Sequence, residues 1–372
     1  MGTRYAAASG FLHRHFLWLL VGTYALACGA PEAGRWIFGL AGTGSVFGHA
    51  IRVSAPAVML GALLFAAGLG VKGEHLRGVF RRPLTLVVGL AASVAVPVLV
   101  LLASAPLLSL WHDPAEAHDL VVGLAVVAAM PVAGSSAGWS RAVDGDCALS
   151  LGLVLLSTLL SPITTPLALD AMAVFAPGAG RTLGELGGAG GAAAFLSVWV
   201  ILPMVLGLAT RWLVGGARAD DAGAGVKPAT AVILLTLCYA NASACLPGVV
   251  ADPDWDFLAL VVVAACAMCA VAFAAGFGVA RTVRADPARR ASLVFGVGMA
   301  NNGAGLALAA GALAGFPMAL LPVVAVNLVQ HLMAGVAGRS LTAGVVACLP
   351  TRGTFPPLPD RRDRGAKPMP QR

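Results

Sequence analysis

The chain has 372 residues, 59% of them hydrophobic and only 11% charged, with a mean hydropathy of +0.87. Soluble domains carry about 25% charged residues, so an ordinary soluble enzyme is excluded, and so is a disordered chain, which would be polar. Seven Cys and 46 Gly suit neither a disulfide scaffold nor collagen. A polytopic helical membrane protein remains.

The first hydrophobic run covers residues 16–30. Arg4, Arg14 and the small residues Ala27-Cys28-Gly29-Ala30 would also suit a signal peptide. The run can extend backward through His13 and His15, which favours a retained span. Next, Gly42-Thr43-Gly44 lacks the strand context that nucleotide binding requires. Charge-free runs follow at 53–71, 83–110, 120–140 and 147–169, then at 186–210, 228–251 and 257–280. The last, 291–338, is long enough for two spans split near Gly315-Phe316-Pro317. A spanning helix needs about 20 apolar residues, so the expectation is ten spans.

With a cytoplasmic N-terminus, 21 of the 24 Lys and Arg fall inside, and only Arg35, Arg52 and Arg181 fall outside. The net charge of +7 is therefore a topology signal and no argument for nucleic acid. It predicts both termini on the cytoplasmic side of the cell (plasma or inner) membrane.

Ten spans divide into two fives, and an odd number puts the second half upside down. This is the inverted repeat usual in secondary transporters. The expected organisation is a first repeat over 1–172, a Gly-rich connector over 173–190 and a second, inverted repeat over 191–346. A Pro-rich, basic, disordered cytoplasmic tail covers 347–372. The fourth span of each half is irregular at a matching place. One reads Met130-Pro131-Val132-Ala133-Gly134-Ser135-Ser136-Ala137-Gly138, the other Gly298-Met299-Ala300-Asn301-Asn302-Gly303-Ala304-Gly305.

Pro and paired Gly break a helix inside the bilayer, and the freed backbone must be buried or line a wet cavity. Half-helix N-termini then favour anions and C-terminal carbonyls favour cations. Ser135, Ser136, Asn301 and Asn302 are the candidate substrate ligands there. The alternative is close packing through Gly with satisfied polar side chains. Asn241, between Tyr239 and Ser243 in span seven, is a further candidate that could instead bond between helices. So is His331 in span ten, an ionisable group at mid-bilayer, unless it is a neutral imidazole bonded to a neighbouring carbonyl. Asp146, just before an apolar run, suits an N-cap. Cys266 and Cys269 read as small helix-face residues. No zinc motif or paired acids support an enzyme.

Further motifs are Arg81-Arg82-Pro83, Pro97, Pro131 through Asp146 and Cys147-Ala148-Leu149-Ser150, then Ser157-Thr158-Leu159-Leu160-Ser161-Pro162, Thr165-Pro166 and Phe295 through Asn301. On these the chain resembles the bile acid:sodium symporter family, over about residues 54–344. The resemblance implies a ten-helix fold with core and panel domains, two broken crossing helices, and symport of an organic anion. Several residues that coordinate two sodium ions in the family are replaced here. Gly296 stands for a Glu, Ala300 for a Gln, Ala137 for an Asn, Val154 for a Thr and Ala92 for a Gln. Ser136, Ser150 and Asn301 remain as candidate ion ligands. No tightly held cofactor is expected, and the coupling ion is sodium or a proton. The partners are an organic anion and the bilayer. A non-transporting membrane sensor or a proton-coupled carrier on the same fold is the alternative.

Overall fold

The computed structural model describes residues 2–46, 49–72, 83–176, 178–188, 191–313 and 315–348. Arg81, Arg82 and all but the first two residues of the expected tail lie outside them. The fold is all-α apart from one hairpin. Helix α1 (Gly2–Gly29) continues through a sharp bend into α2 (Glu32–Gly39); strands β1 (Ala41–Val46) and β2 (His49–Ser54) then pair antiparallel. Gly42-Thr43-Gly44 thus does sit in a strand. That strand pairs with β2 instead of opening a helix, unlike a phosphate-binding turn. Next come α3 (Ala55–Leu69), α4 (Pro83–Leu108), α5 (Pro114–Ala128), α6 (Gly134–Ala142) and α7 (Cys147–Phe175). The stretch read as a connector carries a short helix, α8 (Gly180–Gly187). The remainder is α9 (Gly191–Val214, with a π-helical turn at Ser197–Ile201), α10 (Gly216–Ala251), α11 (Trp255–Thr282), α12 (Pro287–Gly298), α13 (Asn302–Ala312) and α14 (Leu320–Cys348).

Among the described residues six helices are long and apolar enough to cross a membrane, and a seventh if the α1–α2 pair, bent by 94°, is one span. Helix α3 has 15 residues, about 22 Å at 1.5 Å per residue, against a hydrocarbon core of about 30 Å. Large apolar side chains point outward from the long helices, for instance Leu84, Leu99, Ile163, Leu167 and Val263. In water such a surface would aggregate; against lipid tails it carries no penalty.

The helices pack in two groups. Helix α1 lies along α10, and α3 lies on α9 and α10. Helices α4, α5, α7, α11, α12 and α14 surround one another. The groups meet where α7 touches the start of α9, where α14 touches α1 and α10, and where α13 touches α3 and α10. The α3–α9 contact is made by glycine. A Cβ on Gly68 would stand 2.1 Å from the Met204 carbonyl oxygen, and one on Gly207 would stand 2.1 Å from that of Phe65. Small residues let membrane helices approach to backbone contact.

Two arginines tie the first group together. Arg211 donates to the Leu69 carbonyl at 3.0 Å, the end of α3, and to Asp220 Oδ1 at 2.9 Å, near the start of α10. On the same helix, Pro247 has no N–H to bond the Ser243 carbonyl four residues earlier. Arg35 of α2 fills that place, donating to the Ser243 oxygen at 3.2 Å.

Candidate functional site

Two helices break at mid-chain positions and their broken ends meet. Pro131 disfavours helical geometry at Met130 and lacks an N–H, so α5 cannot run on into α6. The second break lies between α12 and α13, where Asn301 leaves the helix and caps the next one: its Oδ1 accepts the Ala304 N–H at 3.1 Å. The two unwound stretches lie antiparallel, with Val132 opposite Ala300. The Ala133 N–H donates to the Met299 carbonyl at 2.9 Å, and the Asn301 N–H donates to the Pro131 carbonyl at 2.8 Å.

In such a pairing Val132 and Ala300 turn their own N–H and C=O groups away from each other. Side chains from flanking helices take them. Ser157 of α7 accepts the Val132 N–H at 3.0 Å. Gln330 of α14 pairs with both groups of Ala300, accepting its N–H at 3.1 Å and donating to its C=O at 3.1 Å. The Ala129 carbonyl, stripped of its helical partner because the Ala133 N–H goes to Met299, accepts Thr165 Oγ1 at 2.7 Å. Ser157 and Thr165 are eight residues apart, so they share one face of α7. Every break in the bilayer interior needs such partners.

The expected residues take different employments here. Ser135 is exposed beside the start of α6, and Ser136 is buried with its Oγ unpartnered. Helix α6 has no side-chain cap, its N-cap being Ala133. Asn302, in the first turn of α13, is buried with neither amide atom bonded. Asn241 is fully buried; its Nδ2 donates to the Leu237 carbonyl at 2.8 Å and its Oδ1 is unpartnered. A Cβ on Gly303 would meet Leu237 and Leu234, which sets the start of α13 against this part of α10. His331 Nδ1 lies 2.8 Å from the Asn327 carbonyl oxygen, the bond to a neighbouring carbonyl weighed for it. Asn327 in turn donates to Tyr24 Oη at 2.9 Å, joining α14 to α1. Tyr239 donates to the Ala30 carbonyl.

Asp146 caps α7, accepting the N–H groups of Ala148 at 2.9 Å and Leu149 at 3.0 Å. Ser150 stands apart from the crossing's unpartnered groups. It donates to Ser140 at 2.9 Å; Ser140 lies 3.1 Å from Ser292, which donates to the Asp146 carbonyl at 2.9 Å. This chain of buried hydroxyls joins α6, α7 and α12. Gly296, where the resemblance implies a Glu, faces an apolar neighbour: a Cβ there would stand 2.6 Å from Leu153 Cδ1. Leu153 is fully buried among Leu86, Leu149 and Leu293. Sodium wants several oxygen ligands, as hard cations do, and the residues present do not assemble them at Gly296. A small cavity of about 20 Å³ lies beside the crossing, lined by Ser93, Pro97, Met130, Met299, Ala300 and Gln330. It has room for a water molecule and none for a cargo of many carbons.

Long apolar helices around a buried junction of two broken ones define a multi-pass membrane protein, and known relatives carry it to the transporter class. Residues 57–243 match the Sodium Bile acid symporter family, and the chain belongs to that family. It is 26% identical over 284 residues to the uncharacterized protein YbaS of Bacillus subtilis (strain 168), an alignment covering 75% of this chain and 86% of YbaS. It is 31% identical over 110 residues to the uncharacterized sodium-dependent transporter YocS of the same organism, covering 30% of this chain and 32% of that protein.

Sequence reasoning missed Ser157, Thr165 and Gln330 as partners of the broken backbone. The first two were in view only as part of the family signature, and Gln330 only as a neighbour of His331. Their signal was available. A helix break in lipid leaves specific N–H and C=O groups to be satisfied, and a polar residue in a neighbouring apolar span is the means.

Proposed function

We propose that the protein is a secondary transporter of an organic anion that works by alternating access. The observation that carries this is the uncapped start of α6 at the crossing, with Ser136 buried and unpartnered in its first turn. Free N–H groups and the positive end of a helix suit a carboxylate or sulfonate. In this reading the chain crosses the membrane ten times, with α5–α6 and α12–α13 as the two broken spans of inverted halves. The charge asymmetry puts both termini in the cytoplasm of a cell membrane. The group of α1, α3, α9 and α10 is the panel against which the other helices rock. The polar seam of Tyr24, Asn327 and Asn241 lies where they part.

Sodium contributes little to coupling in this reading. YocS is named sodium-dependent, but here Gly296 brings no carboxylate and has Leu153 beside it, and Ser150 is committed to Ser140. The test is uptake of labelled organic acids into proteoliposomes under sodium, potassium or proton gradients. Uptake is expected to fall at least tenfold when Ser136 and Asn301 are both changed to Ala, and to respond weakly to sodium. Unchanged uptake in that variant, or steep saturable stimulation by sodium, overturns the respective half of the proposal.

A further inference from the structure

Helix α2 leaves α1 at an angle of 94°, so where α1 crosses the membrane α2 lies in its plane. The level of α2 is set by its partners. Tyr239 of α10 donates to the Ala30 carbonyl at the elbow. Gly34 is buried against α10, where a Cβ would stand 2.1 Å from Ser243 Oγ, and Arg35 donates to the Ser243 carbonyl at 3.2 Å. The Leu40 carbonyl accepts the Ala55 N–H at 2.9 Å, so α3 starts at the end of α2.

Two helices measure that level independently. The apolar stretch of α1 begins after Arg14 and that of α10 after Lys227. From Arg14 to Ala30, and again from Lys227 to Ser243, a helix rises about 24 Å at 1.5 Å per residue. The hydrocarbon core is about 30 Å thick, so α2 lies about 6 Å short of the boundary opposite Arg14 and Lys227. Helices that lie along a membrane surface sit about 5–10 Å into it.

The two faces of α2 suit that place. Gly34, Ile37 and Phe38 share one side, Gly34 buried and the other two half-buried. Glu32, Arg35 and Trp36 share the other and are exposed, Trp36 by 67%. Water would disfavour the bare indole, and hydrocarbon would disfavour the two charges. The headgroup layer accepts all three, with Trp as an interfacial aromatic. Arg35 spends its Nε on Ser243; its guanidinium carries further donors that match a phosphate. The lipid-facing side of α1, with Val21 and Leu26 exposed, leads up to the elbow.

We propose that α2 is an interfacial helix seated in the phospholipid headgroup layer, on the membrane face opposite Arg14 and Lys227, with Arg35 and Trp36 as its lipid contacts. Through Ser243 and Ala55 it sets the depth at which α10 and α3 ride in the bilayer.

The experiment uses the full-length protein in phosphatidylcholine nanodiscs. A nitroxide is carried at position 36 on p-acetylphenylalanine, which leaves the native cysteines in place. Power saturation compares collisions with oxygen, which concentrates in hydrocarbon, and with Ni-EDDA, which stays in water. Labels at Val271, exposed midway along α11, and at Asp221, exposed in the polar start of α10, give the two ends of the scale. The label at position 36 is expected about 5–10 Å below the phosphates, reached by both reagents. Contact with oxygen alone, as at Val271, or with Ni-EDDA alone, as at Asp221, overturns the proposal. So does contact with neither, which would mean that protein covers α2. A second measurement needs no label: Trp36→Phe removes one component of the native fluorescence. Lipids brominated near the top of the acyl chain should quench that component at least about twofold more than lipids brominated near its end; equal or reversed quenching overturns the seating.

Discussion

The crossing should depend on a residue that touches no cargo. Gln330 holds Ala300 through two bonds of 3.1 Å each. Replacing it by Leu keeps the bulk and strands one N–H and one C=O. At about 1–3 kcal/mol for each stranded group the loss is about 2–6 kcal/mol. Side-chain hydrogen bonds measured inside membrane proteins average about 0.6 kcal/mol, which sets a floor near 1 kcal/mol for the pair. With about 2–4 °C per kcal/mol for larger domains, the melting temperature of Gln330→Leu in detergent should fall by at least about 2 °C. Gln330→Glu is the sharper variant. A protonated carboxyl accepts through one oxygen and donates through the other, as the amide does; an ionised one cannot donate. Gln330→Glu should therefore melt nearer to wild type in acid, where the carboxyl is protonated, than in alkali, where it is ionised. A Gln330→Leu protein melting within 1 °C of wild type, with Gln330→Glu showing no added pH dependence, would refute the clamp.

Two further outcomes are expected. Gly68→Ala and Gly207→Ala each drive a Cβ against a main-chain oxygen 2.1 Å away and should cost about 1–3 kcal/mol, whereas Gly248→Ala, with open space around it, should be neutral; thermal melts of the three decide this. The hydrogen bond from Arg211 holds the Asp220 carboxyl below the usual range. Stability from a depressed carboxyl is present above its unfolded pKa and is lost as pH falls through the folded one. The gap between wild type and Asp220→Asn should therefore be full at neutral pH and close in strong acid, and a gap that widens in acid would refute it.

Much of the architecture was legible because lipid simplifies the code. Charge-free runs became helices wherever they were long, and the Pro131 and Asn301 stretches became breaks because backbone chemistry leaves few alternatives. The hairpin at Ala41–Ser54 was not legible, since its short, Gly-containing strands carry no clear alternation. The crossing was legible in its location but not in its bonding. Ser136 and Ser150 both looked like ion ligands, yet one is unpartnered and the other is bonded into a hydroxyl chain. Which of these a serine does depends on helix rotations that no spacing encodes. Leu153 could not be placed against Gly296 from sequence, because the two lie on helices far apart in the chain.

The joint between the two broken helices is written in peptide groups. Met299, Pro131, Ala133 and Asn301 contribute main-chain atoms to it, which every residue possesses and only a proline's nitrogen withholds. Such a joint asks little of its own side chains so long as neighbours such as Gln330, Ser157 and Thr165 cover the groups it leaves free. Side chains that take no part in those bonds can change and leave the same frame standing. The scaffold is thereby separated from the chemistry that it carries.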